Sequence, residues 1–250
     1  MAGAAAGALG VAAGALAATA LAVQLAPAIS GVRWARNRYL PELAGVGVAG
    51  HIALTFDDGP DRASTPSFLD ALDDLEWKAT FFMLATMARS SPDLVAEVAK
   101  RGHEVAVHGS RHSNHLGRGP AWVSRDMLAA RDLLGDLTGQ APRWVRPPYG
   151  AVSSSTLWAA RRASLQTVLW TTWGRDWRAR ATRDSIVADV QATLVPGATV
   201  LLHDSDCTSA PGSWKATLAT LPLLSELWTS AGLRVGTLST HGLAEPAMAA

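Results

Sequence analysis

The chain has 250 residues, enough for one large domain or two small ones, and its 22 basic and 21 acidic side chains leave it close to neutral. Lys and Arg are scattered rather than striped, which excludes an electrostatic nucleic-acid binder. The single cysteine, Cys207, excludes an intrachain disulfide; although it closely follows His203 and Asp204, it lacks the spacing of a thiolate metal site and reads as a small loop residue.

From Ala2 to Ser30 no side chain is charged, and the run is long enough to cross a bilayer. It is mostly Ala and Gly, so it inserts weakly compared with a Leu-rich span. Residues 1–32 read as a hydrophobic leader in one of three forms: an uncleaved anchor, a signal segment with Ala26-Pro27-Ala28 as its cleavage site, or a flexible Ala/Gly leader. A signal peptide ordinarily opens with a basic region, whereas here the positive charges follow, at Arg33, Arg36 and Arg38. By the positive-inside rule those charges hold the following domain in the cytoplasm. The leader predicts membrane association, with the side left open. Residues 33–50 read as a basic flank and linker, Pro41–Gly50 (PELAGVGVAG) being the linker proper.

From His51 onward short apolar runs alternate with helical patterns. Strands are predicted at His51–Phe56, Ala79–Leu84, Glu104–His108, Trp144–Arg146, Gln166–Thr172, Thr199–His203 and Leu233–Leu238. Helices are predicted near Thr65–Leu75, Pro92–Arg101, Pro120–Thr138, Ser153–Arg162, Thr182–Leu194 and Trp214–Ala231. Thr182 and Ser213 suit N-caps, and Gly102 and Gly232 stand just past helix ends, where a left-handed residue is needed. Strands alternating with helices imply a parallel sheet covered by helices. Closing it gives a single α/β domain over 51–240, an incomplete (β/α)7 barrel, with 241–250 as a tail.

The chemistry concentrates at predicted strand ends. Asp57 and Asp58 follow the first strand, and adjacent carboxylates repel each other unless each has a task. His108 and His112, four residues apart, can reach one metal ion from a single turn of chain. Asp58, His108 and His112 then supply one oxygen and two nitrogens, leaving Asp57 free as a base, a combination that suggests metal-assisted hydrolysis. His115 is a competing ligand, since His112-x-x-His115 also has metal spacing. Arg146 ends the fourth strand, Asp176 follows the fifth and His203 ends the sixth. All lie at the C-terminal strand ends, where a βα barrel gathers its active site. His103 and Glu104 read as structural, and His51 and His241 carry no signal.

Thr55-Phe56-Asp57-Asp58-Gly59-Pro60, then His108-x-x-x-His112, Arg146-Pro147-Pro148-Tyr149-Gly150, Arg175-Asp176-Trp177 and Leu201-Leu202-His203-Asp204 resemble the five ordered motifs of the polysaccharide deacetylases, the NodB-homology enzymes of carbohydrate esterase family four. The resemblance runs from about His51 to Leu238. It ranks His108 with His112 above His115 as ligands. It implies Asp57 as general base, Arg146 holding Asp57 through a bidentate pair, His203 as general acid and Asp176 orienting His203. A backbone N–H near Tyr149 would stabilise the oxyanion, and Trp177 with Leu201 would form a slot for an acetyl methyl group. The implied cofactor is one divalent metal ion, zinc first, with other divalent transition metals also suiting these ligands. The implied reaction removes N-acetyl groups from an N-acetylglucosamine-type carbohydrate (peptidoglycan, chitin-like oligomer or exopolysaccharide), in or facing the cell envelope. Alternatives are an amidohydrolase of another N-acyl sugar or a cyclic amide, and a catalytically dead carbohydrate-binding protein. No protein partner is implied. Gly109, where the family usually has Ser or Thr, and Trp173, where its fourth motif often begins with an acid, depart from the pattern and bear on substrate fit.

Overall fold

Alternation along the first strand sets the architecture. In a computed structural model that describes residues 2–243, with side chains from residue 14 onward, β1 (His51–Asp57) is buried on both faces. Successive side chains of a strand leave on opposite faces. Ile52, Leu54 and Phe56 therefore pack outward among helix residues such as Phe68, Leu69 and Leu72. Ala53 faces inward with Phe82, Ala106, Trp144, Val168 and Leu238, which together fill the barrel floor. Thr55 and Asp57 continue that inward column, so Asp57 comes out at the rim.

The other strands are β2 (Thr80–Met83), β3 (Glu104–Val107), β4 (Trp144–Val145), β5 (Gln166–Thr167), β6 (Thr172–Trp173), β7 (Thr199–His203) and β8 (Arg234–Gly236). They pair in the order β5-β4-β3-β2-β1-β7-β6, with β8 beside the start of β1, and every pairing is parallel. The predicted strand Gln166–Thr172 is thus split. Its first residues bond β4, its last bond β7, and between them Leu169 N–H donates to Leu43 O at 3.0 Å. Since one segment, 166–173, ends the sheet on both sides, the sheet is curled into a half-barrel flanked by helices, of seven strands when β5 and β6 are counted as the two ends of one.

Five predicted helices appear at Thr65–Asp74, Pro92–Lys100, Pro120–Thr138, Ser154–Arg162 and Arg183–Thr193. Thr182 caps the last of these, its hydroxyl accepting Ser185 N–H. The predicted Trp214–Ala231 helix is instead two, Ser213–Leu218 and Leu221–Ser230. Pro222 lacks an N–H and its ring clashes with the carbonyl four residues back, so the helix must restart there. Ser213 is not the N-cap; left-handed Gly212 occupies that position. Ala85–Ser90 is a further short helix that the sequence reading missed.

The N-terminal region is ordered. Ala2–Leu25 is helical, and Gly14–Gly31 has a mean hydropathy of 1.4, long and apolar enough to cross a membrane and equally compatible with a signal segment. Its end is tied to the domain: Gln24 Oε1 accepts from the Ser155 hydroxyl at 2.9 Å, and Gln24 Nε2 donates to Arg118 O at 3.2 Å. Pro41–Gly50, expected as a linker, is packed instead. Leu43 and Ala44 are buried, Gly47 N–H donates to Gly197 O at 2.9 Å, and Val48 N–H donates to His241 O at 2.9 Å. Its glycines serve close approach as well as flexibility: a Cβ on Gly47 would lie 2.2 Å from His241 O. In the expected tail, His241 is buried against His51, Nδ1 to Nδ1 2.8 Å, while 244–250 lie outside the described residues.

Candidate metal centre and active site

The inward columns of β1, β3, β4 and β7 each deliver one group to the rim. Asp57 on β1 is level with His203 on β7, its register partner. His108 leaves β3 on the same inward face as Ala106, and Arg146 leaves β4 on the same face as Trp144. The resulting cleft, of about 260 Å³, is lined by Asp57, His108, His112, Tyr149, Trp177, Leu201 and His203, together with Trp170, Trp173 and Thr208.

Asp58, His108 and His112 present ligand atoms within 4.8 Å of one another. His108 Nε2 is 3.4 Å and His112 Nε2 3.6 Å from Asp58 Oδ1. His108 Nδ1 lies 2.8 Å from Arg146 O, which can only accept, so that nitrogen carries the proton. A neutral His108 therefore turns the Nε2 lone pair toward a carboxylate oxygen, a repulsive contact unless a cation or proton stands between them. Asp58 Oδ1 is buried with no hydrogen-bond partner, whereas Oδ2 accepts from the Thr208 hydroxyl. An oriented carboxylate with one orphaned oxygen, facing two imidazoles of which His108 is fixed through its outer nitrogen, fits a divalent ion. Burial opposes ionisation of Asp58, but His108, when its Nε2 carries a proton, outweighs it with His203 and His112 and holds the carboxyl well below its usual range. Asp58 also sits at φ 79, a left-handed conformation that is strained for a side chain with a Cβ.

His115 and Cys207 are not part of this cluster. His115 is buried under Trp122 and bonds the Thr156 hydroxyl at 3.2 Å. Burial, with His108 nearby, drops its pKa to about 4. Cys207 is exposed, its Sγ donates to the Asp58 backbone carbonyl 3.4 Å away, and partial burial of the sulfur, with the Asp58 carboxylate nearby, pushes the thiol up to about 12, leaving it protonated.

Arg146 holds Asp57, but not by the expected bidentate pair. Nη1 donates to Asp57 Oδ1 at 2.7 Å and to Thr55 Oγ1 at 2.9 Å, while Nη2 donates to Leu169 O at 2.8 Å. The guanidinium is fully buried, 4.1 Å above the Phe82 ring. Its remaining donors satisfy carbonyls of the split strand, so only one nitrogen is free for the carboxylate.

Across the cleft, Asp176 Oδ1 is 2.9 Å from His203 Nδ1, and Oδ2 accepts His203 N–H at 2.7 Å and the Thr217 hydroxyl at 2.9 Å. Burial works against a charged imidazole, but Asp176, then Asp58 and Asp57, overcome it and raise the His203 pKa to about 9. Tyr149, at φ 62, sets its ring 4.3 Å from that of His112. Leu201 and Trp177 flank His203, and the indoles run on as a chain: Trp177 to Trp173 at 5.2 Å, and Trp173 to Trp170 at 5.7 Å. Trp173, the departure from the fourth motif, is therefore a wall residue. Gly109, the other departure, has φ 96, a backbone that glycine accepts and serine would strain.

Three residues escaped the sequence reading. Thr208 orients Asp58 from a loop 150 positions away. Thr55 braces Arg146. Asp204 is fully buried, accepts from the Thr65 hydroxyl, and would lie 2.5 Å from a Cβ on Gly59, so it locks the loop after Asp58 against the loop after His203. Thr55 and Asp204 each had a signal, as the first and the final residue of quoted motifs, and Thr208 had none.

The chain matches known proteins along the same elements. Residues 46–168 match the family described as polysaccharide deacetylase. A chitooligosaccharide deacetylase of Bradyrhizobium sp. (strain ANU 289) is 40% identical over 154 residues, covering 61% of this chain and 70% of that protein. A peptidoglycan-N-acetylglucosamine deacetylase of Bacillus cereus is 32% identical over 188 residues, covering 75% and 68%. The crystal structure of the Bc1960 peptidoglycan N-acetylglucosamine deacetylase superposes with a TM-score of 0.75 at 28% identity, covering 82% of this chain and 94% of that one. This chain belongs to the polysaccharide deacetylase family, and it is a hydrolase of carbon–nitrogen bonds in linear amides.

Proposed function

We propose that the protein removes the N-acetyl group from N-acetylglucosamine units of a carbohydrate with the help of one divalent ion, zinc being the first candidate. The observation that carries this reading is the orphaned Asp58 Oδ1 facing His108 and His112, with a second carboxylate held apart beside it. Asp58, His108 and His112 would hold the ion, which supplies Lewis acidity that acidifies water and polarises a carbonyl.

The protein's own groups divide the remaining work. Asp57, fixed by Arg146, takes a proton from the attacking water as its oxygen bonds the acetyl carbon. His203, charged at neutral pH, gives its proton to the departing nitrogen as the carbon–nitrogen bond breaks, yielding acetate and the amine. An amine leaves poorly unless protonated, and a positioned acid of this kind contributes roughly 10²–10⁴ in rate. Trp177 and Leu201 receive the acetyl methyl, and a backbone N–H near Tyr149 assists the oxyanion. The first helix provides membrane association, a reading supported by the length and apolar character of Gly14–Gly31.

The test is acetate release from N-acetylchitooligosaccharide and peptidoglycan, with and without chelator, by the wild type and Asp57→Asn. Asp57→Asn should bind a stoichiometric divalent ion yet release no acetate. Turnover at the wild-type rate in that variant would sink the assignment of Asp57.

A further inference from the structure

Beside the catalytic cleft lies a second cavity, of about 400 Å³. Tyr149, Gly150, Trp170 and Trp173 line both, so the two share a wall. The charged residues of the second cavity are Arg33, Arg36 and Arg175, with no acid among its lining. None of the three forms an ion pair among the described residues. Arg36 is only 6% exposed. Its Nη1 and Nη2 donate to Ser30 O at 2.9 Å and Trp170 O at 2.8 Å, and its Nε is buried with no partner. Burial and the positive charge of Arg33 both act against its protonation. Burying a guanidinium against carbonyls alone, with a second cation nearby, is costly. Such an arrangement makes sense where an anion completes it. Arg175 lies 5.3 Å over the Trp173 ring, at the boundary with the catalytic cleft.

We propose that this cavity is an oxyanion subsite, binding a carboxylate or phosphate carried by the glycan next to the acetylated sugar in the catalytic cleft. Guanidinium groups suit both anions, being weakly hydrated and planar, and the Trp170 and Trp173 faces suit the sugar ring between the two cavities. Arg33 and Arg36 belong to the segment that follows the first helix, so the subsite exists only when that segment is packed on the domain. The link to a deacetylated sugar rests on the proposed function; the binding of the anion does not.

The experiment uses the full chain and three N-acetylated tetrasaccharides of equal length: a neutral one, one bearing a lactyl carboxylate, and one bearing a phosphate monoester. At low salt the wild type should show a KM for one of the charged oligomers about tenfold below that for the neutral one. Which charged oligomer wins identifies the anion. In Arg33→Gln/Arg175→Gln the ratio of kcat/KM for charged over neutral substrate should fall about tenfold, and taking the ratio within one variant cancels any general loss of competence. Equal KM values in the wild type, or an advantage that survives the double substitution, would overturn the subsite. Calorimetric binding of the same oligomers supplies a readout independent of turnover. If no oligomer releases acetate but the charged one still binds tighter in an arginine-dependent way, the deacetylase reading fails and the subsite stands.

Discussion

Replacing Asp176 by Asn isolates the proton donor. Asp176 is buried, and its oxygens accept from His203 Nδ1, His203 N–H and the Thr217 hydroxyl. The amide has nearly the same shape but puts a donating nitrogen where one oxygen accepted, so one acceptor is lost together with the charge that offsets burial and raises His203 to about 9. A unit charge about 4 Å away, at an effective dielectric near 20, contributes about 4 kcal/mol, or about 3 pH units at the ceiling. Asp58 and Asp57 remain in place, so the expected fall is about two units. In the pH profile of kcat/KM for acetate release, the alkaline limb should move down by about two units, so activity above both limbs should drop about a hundredfold, with a smaller loss on the acid side. A bound cation lowers the imidazole pKa in both proteins, so the difference between the two limbs is the readout. An unmoved limb would refute the assignment of His203 as the acid held charged by Asp176. The sign for stability follows from the same shift. The folded pKa lies above the unfolded value, so the pair stabilises fully below pH ~6.5 and loses that contribution as pH rises through about 9. Metal-free Asp176→Asn should lack that decline in urea titrations.

Arg146→Lys keeps a charge but cannot reach Asp57, Thr55 and Leu169 together, so it should cost about 3 kcal/mol and lower the melting temperature by about 6–12 °C in calorimetry. Gly59→Ala would push a methyl group into Asp204, 2.5 Å away, and should cost about 1–3 kcal/mol in a denaturant titration, with the Asp58 loop displaced and metal affinity reduced. Thr208→Val removes the donor that leaves Asp58 Oδ1 as the free oxygen, and should weaken metal binding about tenfold or more in a competition titration, with little change in melting temperature of the metal-free chain. A chelator should lower the melting temperature of the metal-loaded protein by about 5–10 °C, the size expected when an ion is removed from about a hundredfold excess over its dissociation constant.

How much of the site was legible depends on how local each relation is. Asp57-Asp58 and His108-x-x-x-His112 show their chemistry through spacing alone, because a few residues of chain set which groups can meet. Period-two alternation likewise explains why Asp57, His108, Arg146 and His203 all face inward at the rim. Pro222, which breaks the last long helix, was legible by the same kind of local rule and was read past. Arg146 shows the limit. Its type and motif suggest a carboxylate partner, but the division of its nitrogens between Asp57, Thr55 and Leu169 depends on where the 166–173 strand splits.

Periodicity and short spacings were enough for most of the strand and helix succession, for the inward facing of Asp57, His108, Arg146 and His203, and for bringing the candidate ligands Asp58, His108 and His112 within reach of one another. Only the tertiary structure decided that Thr208 reaches across from a distant loop to leave one Asp58 oxygen free, that Asp204 binds the loops after β1 and β7, and that Pro41–Gly50 packs as a seam rather than a linker. It also decided that Arg36 is buried beside the catalytic cleft with no acidic side chain paired to it among the described residues. Each of these is a contact between segments far apart in the chain. Whether a polar group there is satisfied depends on the closure of the barrel and on no residue alone.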